Sequence, residues 1–185
     1  MKKLVWILSA LISLLFCYFP SSAQQGQSQV KKIIIIRHGE KSNEGDNLSC
    51  QGFNRALQLA NVLNKKFGKT DYIFVPTINT GKKTSTARMY QTVVPYAIKY
   101  DLGINTKYDV EDAKGLAQDV LKRNGTVLVV WEHKHIDNIL KAFGIDNKEK
   151  WPDEDFDSIW IINFQKGKPV IAKDKEGISP AADCK

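Results

Sequence analysis

Two unbroken apolar runs dominate the pattern of hydrophobic and polar positions. Residues 31–37 enclose Ile33, Ile34, Ile35 and Ile36, and residues 126–131 read TVLVVW. Continuous, largely β-branched runs of this length predict strands buried on both faces. After the first run, residues 38–47 are polar and contain glycine, which predicts a loop. Ser49 then stands where an N-cap belongs, and Phe53, Ala56, Leu57, Ala60 and Leu63 recur at helical spacing up to a stop at Gly68. DYIFV at 71–75 predicts another strand, followed by a polar loop over 76–86 and a helix over 87–100 that Pro95 should kink or break. A short strand over 106–110 and a helix over 112–123, ended by Asn124-Gly125, lead into the strand at 126–131. Beyond it, a short helix over 136–143 stops at Gly144, and residues 158–164 and 169–173 predict a hairpin. The stretch WPDEDFDSIW, from Trp151 to Trp160, reads as a loop entering that hairpin, with Trp160 in the core. Strands alternating with helices, without internal repeat or linker, predict an α/β three-layer sandwich around a largely parallel central sheet.

The first residues fall outside this pattern. Met1-Lys2-Lys3 precedes an uncharged, mostly apolar run from Leu4 to Phe19, then Pro20-Ser21-Ser22-Ala23. A basic start, an apolar centre and small residues at Ser21 and Ala23 predict a signal peptide over 1–23, cleaved after Ala23. A flexible leader over 24–31 and a folded domain over 32–185 follow, in a secreted or periplasmic protein. Left uncleaved, the segment would be a membrane anchor, and no other membrane contact is expected. The chain has 185 residues, 43% hydrophobic and 25% charged, enough for a packed core and too apolar for wholesale disorder. Its net charge of +7, of which Lys2 and Lys3 leave with the signal, favours anionic ligands. No basic stripe interleaved with aromatics is present, so nucleic acid is not an expected partner. Cys50 and Cys184 remain after cleavage, either paired in an oxidising compartment or as two inert thiols.

The candidate chemistry gathers where the two long strands end. All 3 histidines of the chain lie there, in Arg37-His38-Gly39-Glu40 and in Glu132-His133-Lys134-His135. Ligands of open parallel sheets bind outside the carboxyl ends of strands, whereas solvated loop histidines would have no reason to collect at that edge. The His-x-His spacing of His133 and His135 occurs in metal hydrolases too, but no further ligand set accompanies it, so neither a metal nor a cofactor is expected.

The blocks IIIIRHGEK, LSCQGFNRALQLA, TARMYQT and VLVVWEHKHI together resemble the successive motifs of the histidine phosphatase superfamily, the phosphoglycerate mutase-like fold. The similarity runs from about residue 32 to 144, and its nearest likeness is to small exported or phosphohistidine-phosphatase-like members. The resemblance implies that His38 is the nucleophile that takes up the phosphoryl group, that Arg37 and Arg88 hold its oxygens, and that His133 completes the pocket. Physical chemistry agrees with that division of labour. A phosphate monoester is a dianion whose hydrolysis is very slow, so charge stabilisation and a covalent intermediate both help. Arginine offers a planar fork of donors that stays charged, and a neutral imidazole can attack while a protonated one stabilises oxygens.

Two departures bear on the leaving-group acid. Lys134 stands where many members carry an Asp after the late His, and no Glu lies between Arg88 and Asp101. Glu132, Asp137 and Asp112 are the candidate proton donors, Glu40 is assigned to shaping the loop, and His135 to the rim of the site, as a further candidate for substrate binding. Without an acid, substrates with good leaving groups, such as phosphohistidine or acyl phosphates, are favoured. The sequence thus supports an exported, metal-independent phosphatase acting on a small phosphorylated substrate, an envelope or environmental phosphate ester. The alternative is a phosphate- or phosphosugar-binding protein on the same scaffold without turnover, and a mutase is a weaker third. Lys82 and Lys83 are either solvated or contacts for a second anionic group.

Overall fold

The computed structural model describes residues 30–78 and 86–184. The expected signal segment over 1–23, most of the expected leader, and Lys82 and Lys83 lie outside them. Six strands form one sheet: β1 (Val30–Arg37), β2 (Tyr72–Phe74), β3 (Ile104–Asn105), β4 (Gly125–Trp131), β5 (Ser158–Gln165) and β6 (Lys168–Lys175). Four helices alternate with them: α1 (Cys50–Phe67), α2 (Ala87–Tyr100), α3 (Ala113–Val120) and α4 (His133–Ala142). The strand order is β3-β2-β4-β1-β5-β6, with β3, β2, β4 and β1 mutually parallel and β5 antiparallel to both its neighbours. None of the helices among the described residues is long and apolar enough to cross a membrane.

The isoleucine run explains the layering. Alternate side chains of a strand point to opposite faces, so Ile33 and Ile35 join one core and Ile34 and Ile36 the other. Leu116, Val120, Ile136, Ile139 and Leu140 cover the first from α3 and α4. Leu59, Leu63, Val93 and Tyr96 cover the second from α1 and α2. β1 therefore leads to a helix on one face and its neighbour β4 to a helix on the other. Their carboxyl ends part at a topological switch point, the place where such sheets bind ligands.

Several elements differ from the sequence expectation, each for a local reason. The short edge strand is Ile104–Asn105, ahead of 106–110, because the Asn105 side chain accepts from the Lys107 amide and turns the chain. Tyr108 then packs into the core, its hydroxyl donating to Asp119. Helix α2 runs through Pro95 unbroken. Helix α4 starts at His133, three residues earlier than expected, because Glu132 caps it by accepting from the Lys134 amide. On α1 the buried face is Gly52, Arg55, Ala56, Leu59, Ala60 and Leu63, whereas Phe53 and Leu57 are 48% and 49% exposed. Arg55 turns inward because Glu40 and Glu176 accept its hydrogen bonds, Glu40 through both its oxygens and Glu176 at 2.6 Å. That pairing rotates the helix away from the face the apolar residues alone predict. Cys50 and Cys184 form a disulfide that ties the end of the chain to the first turn of α1. Trp160 is buried against Trp151, as expected.

Candidate active site

His38 follows the last residue of β1, and its amide donates to the Trp131 carbonyl at the end of β4, so one hydrogen bond joins the two strand ends. The side chain is buried. Its Nδ1–H donates to the Gly39 carbonyl at 2.7 Å, which leaves the lone pair on Nε2. Burial holds the imidazole far below its ordinary pKa, to about 3, against the pull of the Gly39 bond and with help from Arg88, Arg37 and His133. The ring is therefore neutral and able to act as a nucleophile across the ordinary pH range.

The loop after His38 is held from two sides. The Gly39 amide donates to Thr92 Oγ1, and that hydroxyl donates to the Arg88 carbonyl one turn back, which fixes α2 against the loop. On the other side α1 starts so close that a Cβ on Gly52 would lie 2.2 Å from the Glu40 carbonyl oxygen. Only glycine permits that approach. Glu40, bound to Arg55, shapes the loop as the sequence suggested.

Arg37 is buried at the end of β1, its guanidinium 3.8 Å from the centre of the Phe156 ring. Its Nη1 donates to the Asp153 carbonyl and, at 3.5 Å, to that of Asp155. Arg88 projects from the first turn of α2, its Nη1 donating to the Asp46 carbonyl at 3.3 Å. His133 opens α4, with Nε2 at 2.9 Å from Asp153 Oδ1. Glu132 Oε1 lies 2.9 Å from Nδ1 of the same ring, but off the hydrogen-bonding direction. Burial and Arg37 push the His133 pKa down, while Asp153 and Glu132 oppose them.

The structure thus brings Arg37, His38 and His133 to one switch point, with Arg88 near enough to bias the titration of His38. Of the candidate acids, Glu132 shares the cluster: donor atoms of His38, Glu132 and His133 lie within 4.8 Å of one another. A small cation could span that distance, but Arg37 and Arg88 place positive charge beside it, so the pocket suits an anion better. The other two acids act elsewhere. Asp137 pairs with Lys141 at 2.7 Å, and Asp112 caps α3 by accepting from the Gly115 amide. His135 stands at the rim, 3.8 Å from Glu132 Oε2 and partly exposed.

Sequence reasoning did not single out Asp153, Phe156 or Thr92. The loop from Trp151 to Ser158 carries no apolar period, and nothing local says that it folds back over β1. Thr92 lay within the recognised TARMYQT block, without a role of its own.

Among the described residues, the buried side-chain nitrogens with no hydrogen-bond partner are Arg37 Nε, Arg88 Nε and His133 Nδ1. Buried donors are nearly always paired, so such a group needs an explanation. These three belong to the three residues expected to hold a phosphoryl group: the two arginine nitrogens are donors that suit an anion, and His133 Nδ1 becomes one when its ring is protonated.

No protein-family model matches the chain, and no curated protein matches it. Solved structures do. The protein histidine phosphatase SixA complexed with tungstate is 15% identical, with a TM-score of 0.57 over 78% of this chain and 97% of that one. A mycobacterial glucosyl-3-phosphoglycerate phosphatase with inorganic phosphate is 13% identical, with a TM-score of 0.56 over 82% and 98%. A phosphoglycerate mutase from Plasmodium falciparum is 14% identical, with a TM-score of 0.54 over 83% and 95%. Sheet order, helix placement and these likenesses agree that the chain has the phosphoglycerate mutase-like fold.

Proposed function

We propose that the chain is an exported, metal-independent phosphatase that hydrolyses phosphate monoesters through a phosphohistidine on His38. The observation that carries this reading is the set of unpartnered buried nitrogens on Arg37, Arg88 and His133 around a neutral His38. The solved structures of the same fold include phosphatases bound to tungstate and to phosphate, which supports a small phosphorylated substrate here.

The chemistry follows from the geometry. His38 Nε2 attacks phosphorus, and the bond from phosphorus to the ester oxygen breaks. Arg37 and Arg88 hold the phosphoryl oxygens, and the dianion between them favours a proton on His133, which then donates to an oxygen. Glu132 is the carboxyl placed to protonate the departing alcohol and later to take a proton from the water that releases phosphate from His38. Asp137 and Asp112 have no part in this scheme, and His135 contacts at most the outer part of a substrate.

Export is supported by the N-terminal pattern and by the disulfide, which persists in oxidising compartments. An exported phosphatase of this kind acts on envelope or environmental phosphate esters. The test uses the chain from Gln24 with p-nitrophenyl phosphate, with and without a chelator, beside His38→Ala. Chelator-resistant turnover that the substitution abolishes is the expected result. Tight phosphate binding without turnover would instead identify a binding protein, and activity lost to chelator would identify a metal enzyme.

A further inference from the structure

We propose that Asp153 is a positioning residue that fixes the tautomer and orientation of His133, so that Nδ1 is the edge presented to the phosphoryl oxygens. The inference deepens the phosphatase reading and rests on it for its catalytic consequence. The contacts around His133 set the direction of the argument. Asp153 Oδ1 lies 2.9 Å from Nε2, and a carboxylate can only accept, so Nε2 carries a hydrogen there. The opposite nitrogen, Nδ1, is buried, and although Glu132 Oε1 lies 2.9 Å away it is off the hydrogen-bonding direction, so Nδ1 makes no hydrogen bond. A ring hydrogen-bonded at one nitrogen only has its binding edge chosen in advance, because the proton that a bound dianion draws onto the ring is taken up at Nδ1.

Asp153 is suited to this although its side chain is 79% exposed, because the loop around it is built rigidly. Trp151 is buried against Trp160, and its Nε1 donates to the Asp155 carbonyl at 2.7 Å. The Asp155 carboxylate accepts from the amides of Asp157 and Ser158 and from the Ser158 hydroxyl. Phe156 lies under the Arg37 guanidinium. Between these anchors the Asp153 carbonyl receives Arg37 while its carboxylate receives His133. One loop residue thereby sets the spacing between two groups that face the same anion. The His133 ring also holds the Asp153 carboxyl below its ordinary pKa, as a carboxylate used as an acceptor should be.

The side chain can be separated from the backbone contact. Asp153→Ala keeps the carbonyl that holds Arg37 and removes only the acceptor for Nε2. Asp153→Asn keeps the shape but adds a donor, so it no longer enforces hydrogen on Nε2. The readout is long-range nitrogen–proton NMR of the histidine rings at neutral pH, with His133 assigned through His133→Gln. Turnover of p-nitrophenyl phosphate, affinity for inorganic phosphate and the thermal midpoint are measured on the same samples.

In the parent protein His133 is expected to show hydrogen on Nε2. Both variants should lose that preference and bind phosphate more weakly, with kcat down about tenfold or more in Asp153→Ala and the thermal midpoint unchanged. An unchanged tautomer in both variants overturns the proposal, and so does a lost tautomer with unaltered phosphate affinity and turnover. If the parent binds phosphate but turns nothing over, the phosphatase reading fails, while the tautomer and the affinity still decide the role of Asp153.

Discussion

An imidazole enclosed by Arg37, Arg88 and His133 titrates far from where a free one does, and the consequence reaches stability as well as chemistry. His38 has a pKa of about 3 in the fold against 6.5 for the ordinary group. Between those values the unfolded chain takes a proton that the folded chain refuses. The contribution of His38 is therefore full above about pH 6.5 and is lost as pH drops towards 3, while Glu176, held up at about 8, works in the opposite direction between pH 4.5 and 8. The contribution is read as a difference: between pH 7 and pH 4.5 the urea midpoint of the parent should fall relative to that of His38→Asn, in which Glu176 still titrates. His133, shifted in the same direction as His38, titrates in both. At this scale the two motif blocks were legible, because His38 and His133 follow apolar runs that can only be strands. Asp153 was not, since its role depends on a chain reversal twenty residues beyond His133 that no local pattern records. Glu132, Asp137 and Asp112 could not be ranked from sequence, because a helix cap, an ion pair and a carboxyl beside the histidines all call for an acidic residue.

At the scale of elements, the approach of α1 to the loop after β1 is the tightest demand in the fold. Gly52→Ala forces a Cβ against the Glu40 carbonyl, backbone against backbone, so one of the two must move. We expect a loss of about 1–3 kcal/mol in unfolding free energy. Turnover should fall more steeply, on the order of 100-fold, because the displaced loop carries His38. Circular dichroism melts and kcat on p-nitrophenyl phosphate check the two parts separately. The helix itself was legible from its Ser49 cap and its apolar spacing. Its rotation was not, because the face predicted by Phe53 and Leu57 ignores the inward turn of Arg55. A buried arginine is costly unless paired, and its partner Glu176 lies 121 residues away in sequence. Burial holds Glu176 up at about 8 even against the attraction of Arg55, a measure of how dry that pairing is. The edge strand was misplaced for a related reason, as the Asn105 side chain ends it by a bond that hydrophobic periodicity does not register.

For the whole molecule, the disulfide between Cys50 and Cys184 has a sequence separation of 134. Reduction, or Cys184→Ser, is expected to lower the unfolding free energy by about 2–4 kcal/mol, seen as a lower denaturant midpoint. The sequence left this pair open, because two cysteines in a chain read as exported allow a bond without requiring one. The bond also divides the sheet in a way its hydrogen bonds do not. β2, β3, β4, β5 and β6 all belong to a covalently closed ring, whereas β1, which carries Arg37 into the site and ends at His38, stands outside it. The strand that ends at His38 is a guest at the centre of a host that is already closed around Arg88 and His133. A cut in the loop between Lys41 and Leu48 would leave β1 as a short peptide held only by its non-covalent pairing with β4 and β5, and complementation follows: ring and peptide, separated in denaturant and each inert alone, should regain the proposed turnover when mixed.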